Sequence, residues 1–235
     1  MVKTVGIIPA RMESSRFPGK PLALINGKVM IQHVYDNASA CKKLDSVYVA
    51  TDSEEIIKYC IENGLNYIIT GEHPTGTDRC AEANIKINGD YVVIIQGDEP
   101  TIGPEIIAKS VVHGKITNLT CEATFCDLGG DIPKVVYNTL QELIYASRCS
   151  IPECKELVIP HMKQVCVYGY PKEKLKYFYE LPRGRLETSE GIEILRLVEH
   201  QEIVNMIKVN QTGPAVDYPK DIKKVEEYIN GKISI

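Results

Sequence analysis

The chain has 235 residues, 44% hydrophobic and 25% charged, with a net charge of −4. That is the make-up of an ordinary soluble globule, and it argues against a dedicated nucleic-acid binder, which carries a strongly basic face. No apolar stretch approaches the ~20 residues that cross a bilayer, and strand-like sequence follows Met1 directly, so no membrane insertion, no signal peptide and a cytoplasmic setting are expected.

Residues 5–9 are predicted as a buried strand. It runs into a loop that carries Arg11, Arg16 and Lys20 among Pro9, Ala10, Ser14, Ser15, Pro18 and Gly19. A strand ending in such a loop can hold a polyphosphate: backbone N–H groups point at the anion and the cations neutralise it. The spacing is neither the usual phosphate loop nor a dinucleotide fingerprint. The plainer alternative is an exposed basic loop.

Residues 30–41 put Ile31, Val34, Tyr35 and Ala38 on one helical face. A strand over 46–51 follows, then Asp52 and Ser53 as caps of a helix over 54–63 that Gly64 can stop. Residues 66–70 form a short strand. The loop from His73 to Arg79 is Gly-centred and opens a helix over 78–88; its hydroxyls, backbone and Arg79 can grip a nucleotide, and Thr77 or Asp78 can equally be a plain N-cap.

Residues 91–96 are the most apolar strand and end in Gln96-Gly-Asp-Glu-Pro100. A hard cation such as magnesium takes one or two carboxylates plus phosphate oxygens, and Asp98 can supply one. A turn Asp bonding its own backbone is the structural alternative. A helix over 104–113 completes an alternation that implies α/β architecture, with a mostly parallel sheet and helices on both faces. Ligands bind at the carboxyl ends of such strands.

From Thr120 the pattern changes to short strand-like runs over 121–126, 133–137, 142–146 and 164–170, which suit an antiparallel insertion. A helix over 187–201, a strand over 203–209 and a helix over 221–230 follow. Asp217 precedes that last helix; alone it reads as a helix-start residue, and paired with Asp98 it completes a two-carboxylate magnesium site. Glu187 and Glu190 share a helix face, where acids also serve the macrodipole. The eight cysteines form no Cys-x-x-Cys pair; Cys121 with Cys126, or Cys149 with Cys154, have only a loose metal-like spacing, and reduced, mostly buried thiols are expected. One domain spanning 1–235 is expected, with a β-rich substrate and dimerisation subregion about 120–185.

Several motifs occur in order: Pro9-Ala-Arg-x-x-Ser-Ser-Arg-x-Pro-Gly-Lys-Pro-Leu22, Val49-Ala-Thr-Asp52, Thr75-Gly-Thr-Asp-Arg79, Gln96-Gly-Asp-Glu-Pro100, Ser147-Arg148, Val167-Tyr-Gly-Tyr170, Leu186-Glu-x-x-Glu-x-x-Glu-x-Leu-Arg196 and Val216-Asp-x-Pro219. Together they resemble the 3-deoxy-manno-octulosonate (Kdo) cytidylyltransferases almost end to end. The resemblance implies a nucleotidyltransferase fold, a homodimer built through the β-rich region, and transfer of CMP from CTP to an acidic sugar with release of pyrophosphate. It implies magnesium on Asp98 and Asp217, with Arg11, Arg16 and Lys20 on the triphosphate. Ala10, Ser15, Thr75, Arg79 and Gln96 belong to the implied nucleotide set. Arg148, Gln164, Tyr168, Glu187 and Glu190 map onto the implied sugar-acid pocket.

Three departures from the family pattern fall in the acceptor half. Gln164 replaces the usual His, Ser147-Arg-Cys-Ser-Ile-Pro-Glu153 replaces Ser-Arg-Ala-x-Ile-Pro-Trp, and the stretch between Pro152 and Gln164 is short. An amino-sugar acceptor such as 8-amino-3,8-dideoxy-manno-octulosonate, or another acidic acceptor from capsule or natural-product chemistry, is therefore carried beside Kdo. A non-catalytic CTP-binding regulator is the rival from another class; retention of both aspartates counts against it.

Overall fold

The computed structural model describes residues 2–153 and 160–233. β1 (Thr4–Pro9) leads through a 3-10 turn (Lys20–Leu22) and a small hairpin, β2 (Leu24–Ile25) and β3 (Lys28–Val29), into α1 (Met30–Ser39). β4 (Ser46–Thr51), α2 (Glu54–Asn63), β5 (Tyr67–Ile69), α3 (Gly76–Ile87), β6 (Tyr91–Ile95) and α4 (Pro104–Lys109) follow. Next come β7 (Ile116–Glu122), a 3-10 turn (Phe125–Leu128), β8 (Lys134–Tyr137), β9 (Leu143–Ser147) and β10 (Met162–Pro171). The chain continues through α5 (Lys172–Glu180), α6 (Arg185–Glu190), α7 (Leu195–Glu199), β11 (Val204–Lys208) and α8 (Asp221–Ile229).

The main sheet runs β11-β7-β10-β6-β1-β4-β5, with β8 and β9 attached through β10. The pairs β6·β1, β1·β4, β4·β5 and β7·β11 are parallel, whereas β10 lies antiparallel to both β6 and β7. The expected mostly parallel α/β sheet with an antiparallel insertion is what the chain forms. Alternation along the strands buries both faces. Val5, Ile7, Val92 and Ile94 pack with α3, α5 and α7; Ile8, Tyr91, Val93 and Ile95 pack with α1, α2 and α4.

The chain leaves β1 toward β4 on one side and later returns to β6 on the other. The crevice beyond the carboxyl ends of β1 and β6 is thus a topological switch point, where open α/β sheets bind ligands. A Cβ at Gly97 would lie 3.0 Å from the Pro9 carbonyl, so a larger residue there would crowd the close approach of the loops after these two strands. The N-terminal half of β10 pairs with β8 of the insertion and the C-terminal half with β6. A register shift between Val165 and Tyr168 on the β7 side re-aims the side chains near the crevice.

Several elements differ from the sequence expectation. The helix expected over 187–201 is two short helices, because Gly191 adopts φ +63° at the end of α6. The strand expected over 121–126 is the end of β7; the chain then turns at a capping box between Thr124 and Asp127. The earlier part of β7 escaped because Thr117, Asn118 and Thr120 resemble a solvated face. They are buried and bonded instead to Ser110, Val165, Val167 and Lys163 carbonyls. α3 starts at Gly76 with Thr75 as its N-cap, not Thr77 or Asp78, and α4 ends at Lys109. α5 was missed: among its charged residues only Leu175 and Phe178 are buried, a stripe too narrow to read.

Candidate active site

Two cavities open side by side at the crevice. One, of about 340 Å³, is lined by the first loop (Ala10, Arg11, Ser14, Lys20), by Thr75, Gly76 and Arg79, and by Gly97. The other, of about 390 Å³, is lined by Lys163, Gln164, Tyr168, Asp131 and Asp217. Arg16, Gln96, Asp98, Arg148 and Glu193 line both, so they form the shared rim. A group-transfer site needs this arrangement: two substrates held in adjoining pockets with their reacting atoms at the common boundary.

Asp98 of that rim and Asp217 of the larger cavity, far apart in sequence, come together here. The Val216 N–H donates to the Asp98 carbonyl at 3.0 Å, which sets the two segments side by side. Burial raises the Asp217 pKa, and the Asp98 carboxylate raises it further; Arg16 and Lys20 pull it down. Lys20 Nζ lies 2.6 Å from Asp98 Oδ2 and donates to the Val216 carbonyl at 3.0 Å. Arg16 Nη2 lies 2.7 Å from Asp217 Oδ1, with a longer contact of 3.4 Å to Asp131. Two hard carboxylates beside an open polar cavity fit a magnesium ion that keeps waters and takes a phosphate oxygen. Among the described residues no group of three or more His, Cys, Asp or Glu is placed to hold a metal ion, here or elsewhere.

The other expected nucleotide residues divide. Ala10, Arg11 and Gln96 line the smaller cavity, whereas Ser15 is exposed and lines neither. Thr75 is the N-cap of α3 and donates to Asp78. Arg79 lines the cavity with a buried side chain held by Thr70, the Gly71 carbonyl and Asp52. Its guanidinium shapes the loop over residues 70–75.

In the acceptor set, Arg148, Gln164 and Tyr168 line the larger cavity. Burial holds the Tyr168 hydroxyl well above its ordinary pKa, so it is a neutral donor. Glu187 and Glu190 line neither cavity. Glu187 is buried and binds Arg196 through two contacts of 2.7 and 2.8 Å, and Arg196 grips Asp78 with two more. Glu190 accepts from Ser147, Tyr145 and the Arg148 N–H. Burial raises its pKa, but these donors outweigh that and hold it below the usual carboxylate range.

Sequence reasoning missed Glu193, Glu99 and Lys163. Glu193 accepts from the N–H groups of Gly76 and Thr77, so it caps α3 from a distant element at the shared rim. Its signal was the third Glu at a three-residue spacing. Glu99 lies in the larger cavity, where burial and then the Asp98 charge push its pKa up to about 8. Lys163 pairs with Asp127 at 3.0 Å. Cys41, Cys60, Cys80 and Cys121 are buried free thiols, Cys166 is half-buried and Cys149 exposed. Cys154 of the suggested metal-like pairs lies outside the described residues.

A mixed sheet with paired aspartates and a cationic loop at the switch point defines a nucleotidyltransferase. The comparisons agree. The cytidylyltransferase family model matches residues 5–204. A 3-deoxy-manno-octulosonate cytidylyltransferase of Chlamydia trachomatis is 36% identical, over 97% of this chain and 94% of that protein. An 8-amino-3,8-dideoxy-manno-octulosonate cytidylyltransferase of Shewanella frigidimarina is 41% identical, over 96% of this chain and 98% of that protein. A solved CMP:2-keto-3-deoxy-manno-octonic acid synthetase complexed with CTP superposes with a TM-score of 0.90 at 34% identity, covering 98% of this chain and all of that one. The chain belongs to the cytidylyltransferase family, in the group of the 3-deoxy-manno-octulosonate enzymes.

Proposed function

We propose that this chain transfers the cytidylyl group of CTP to an acidic sugar of the Kdo type, giving a CMP-sugar and pyrophosphate. It is a CTP-dependent nucleotidyltransferase by family. The observation that carries the assignment of halves is the pair of adjoining cavities that share Asp98, Arg16 and Gln96. CTP occupies the smaller one, with its triphosphate along the first loop; the acceptor occupies the larger.

In the reaction an anomeric hydroxyl oxygen bonds to the α-phosphorus, the α–β bridging bond breaks, and the hydroxyl proton is released. This demands positioning and charge stabilisation more than covalent help from the protein. Arg11 and Lys20 neutralise phosphate oxygens. Arg148 orients the acceptor's carboxylate, for which a planar guanidinium is suited. Asp98 and Asp217 would hold magnesium. When bound, the ion supplies charge neutralisation and a lowered pKa for the attacking hydroxyl.

A second reading, an amino-sugar acceptor, is compatible with one detail that serves a hydroxyl equally. Asn118 Nδ2 donates to the Val165 and Val167 carbonyls, which turns its Oδ1 toward Gln164. Gln164 Nε2 donates to that oxygen at 2.9 Å. The amide is thereby oriented, and its Oε1 is left as an acceptor suited to an ammonium or hydroxyl donor.

Pyrophosphate release with each of the four NTPs, against Kdo, its 8-amino relative and a panel of other acids, tests both readings. Turnover with CTP and one of the two sugar acids is expected; release with none, alongside CTP binding, would leave the regulator. The homodimer implied by the resemblance is likewise a proposal, read by the mass of the chain in solution.

A further inference from the structure

Lys134 is fully buried, and among the described residues its ammonium is held by backbone carbonyls and not by a carboxylate. An ammonium has three donors, and here each finds a backbone carbonyl: Gly129 at 2.7 Å, Ile132 at 2.7 Å and Arg148 at 2.6 Å. A side chain that merely filled space would be apolar, since burying an ammonium is costly unless every donor is satisfied.

The three carbonyls belong to two pieces of chain that wall the same cavity. Gly129, Asp131, Ile132, Pro133 and Arg148 all line the larger cavity. The side chain of Arg148 closes the gap, with Nη1 donating to the Asp131 carbonyl at 2.6 Å. Lys134 sits at the start of β8, opposite Ser147 of β9. The main chain of Arg148 is therefore gripped by two opposite charges. Its N–H donates to Glu190 at 2.9 Å, and its carbonyl accepts from Lys134. That fixes where the side chain starts, and the guanidinium itself is held by the Glu190, Asp131 and Gly191 carbonyls at 2.8, 2.6 and 3.3 Å.

We propose that Lys134 is a positioning residue for the acceptor: its ammonium locks the Arg148 main chain and residues 129–133 into one rigid wall of the acceptor cavity. The proposal rests on the reading of Arg148 as a ligand of the acceptor's carboxylate. Preorganisation of this kind lowers the ordering cost on binding and touches one substrate more than the other.

The test compares wild type with Lys134→Met and Lys134→Arg. Initial rates of pyrophosphate release give KM for CTP and for Kdo, and backbone hydrogen exchange is followed along the chain. For Lys134→Met the expected result is a KM for Kdo raised at least tenfold and a KM for CTP within about twofold of wild type. Faster exchange should be confined to 129–133 and the neighbourhood of Arg148. Lys134→Arg keeps the charge, but its planar fork cannot converge on three carbonyls as an ammonium does; it should recover only part of the loss. It carries the same comparison if Lys134→Met fails to fold. A Kdo KM within twofold of wild type, equal rises for both substrates, or faster exchange throughout the chain would overturn the proposal. Where the 8-amino relative is the sugar turned over, its KM replaces that of Kdo; if wild type binds CTP but turns over neither, the acceptor reading fails, and the exchange pattern alone decides whether Lys134 locks this wall.

Discussion

Lys20 and Asp98 form an ion pair of 2.6 Å at the boundary of the two cavities, and the same ammonium holds the Val216 carbonyl. One cation of the first loop thus joins both segments that carry the candidate metal aspartates. Replacing Asp98 by Asn keeps the volume and removes the charge. Turnover with CTP and Kdo should fall at least a hundredfold, ~2.7 kcal/mol of barrier. A loss of less than about tenfold in kcat, followed by pyrophosphate release, would contradict a metal role.

Arg196 is buried between Asp78 and Glu187, with its guanidinium 4.0 Å from the centre of the Phe178 ring. Removing one partner of such a cluster leaves charge uncompensated in the interior. Arg196→Met should lower the unfolding free energy by about 3–5 kcal/mol. Glu187→Ala should also destabilise, while the KM for Kdo, measured where the variant is folded, stays within a few-fold. Urea titration and initial rates together check this; an acceptor KM that rises tenfold in a stable Glu187→Ala protein would return Glu187 to the acceptor pocket.

Gln164→His exchanges an oriented amide for an imidazole with different donors and reach. Acceptor preference should change, measured as the ratio of kcat/KM for Kdo and its 8-amino relative. The apparent affinity for CTP should stay within a few-fold. Collapse of CTP binding would show that the two halves of the site are not separate.

Glu190 offers a pH test. Its folded-state pKa lies below the ordinary carboxylate value because its three donors outweigh burial. A depressed carboxylate contributes stability above its unfolded pKa and loses that contribution as pH falls through the folded value. Glu190→Gln should therefore differ most from wild type near neutral pH. The gap in thermal midpoint should narrow below about pH 4, where an unfolded Glu takes up its proton. A gap that does not change with pH would mean that Glu190 acts through packing alone.

Much of the fold was legible because burial leaves a periodic trace. The runs now seen as β1, β4 and β6, and α2 with its Ser53 cap and Gly64 stop, were predicted with nearly their observed bounds. The cationic loop, and Asp98 and Asp217 as neighbouring acids, were legible as residue types after strands. What failed were elements whose buried side is polar or narrow. Thr117, Asn118 and Thr120 look solvated in a list of letters, yet each is satisfied inside the sheet. The positive φ at Gly191 split a pattern whose helical period continues through it.

Local pattern settled the strand and helix types, the loop that collects cations, and the candidate carboxylates, since each depends on neighbours a few positions away. Which acid faces ligand and which holds the protein together was decided only by long-range packing. Glu187, Glu190 and Glu193 share one spacing and one charge. Folding turns the first onto Arg196, the second onto the Arg148 main chain and the third onto the start of α3 at the rim of both cavities. A carboxylate's role follows from the donors that reach it, and those donors arrive from parts of the chain that no local window contains.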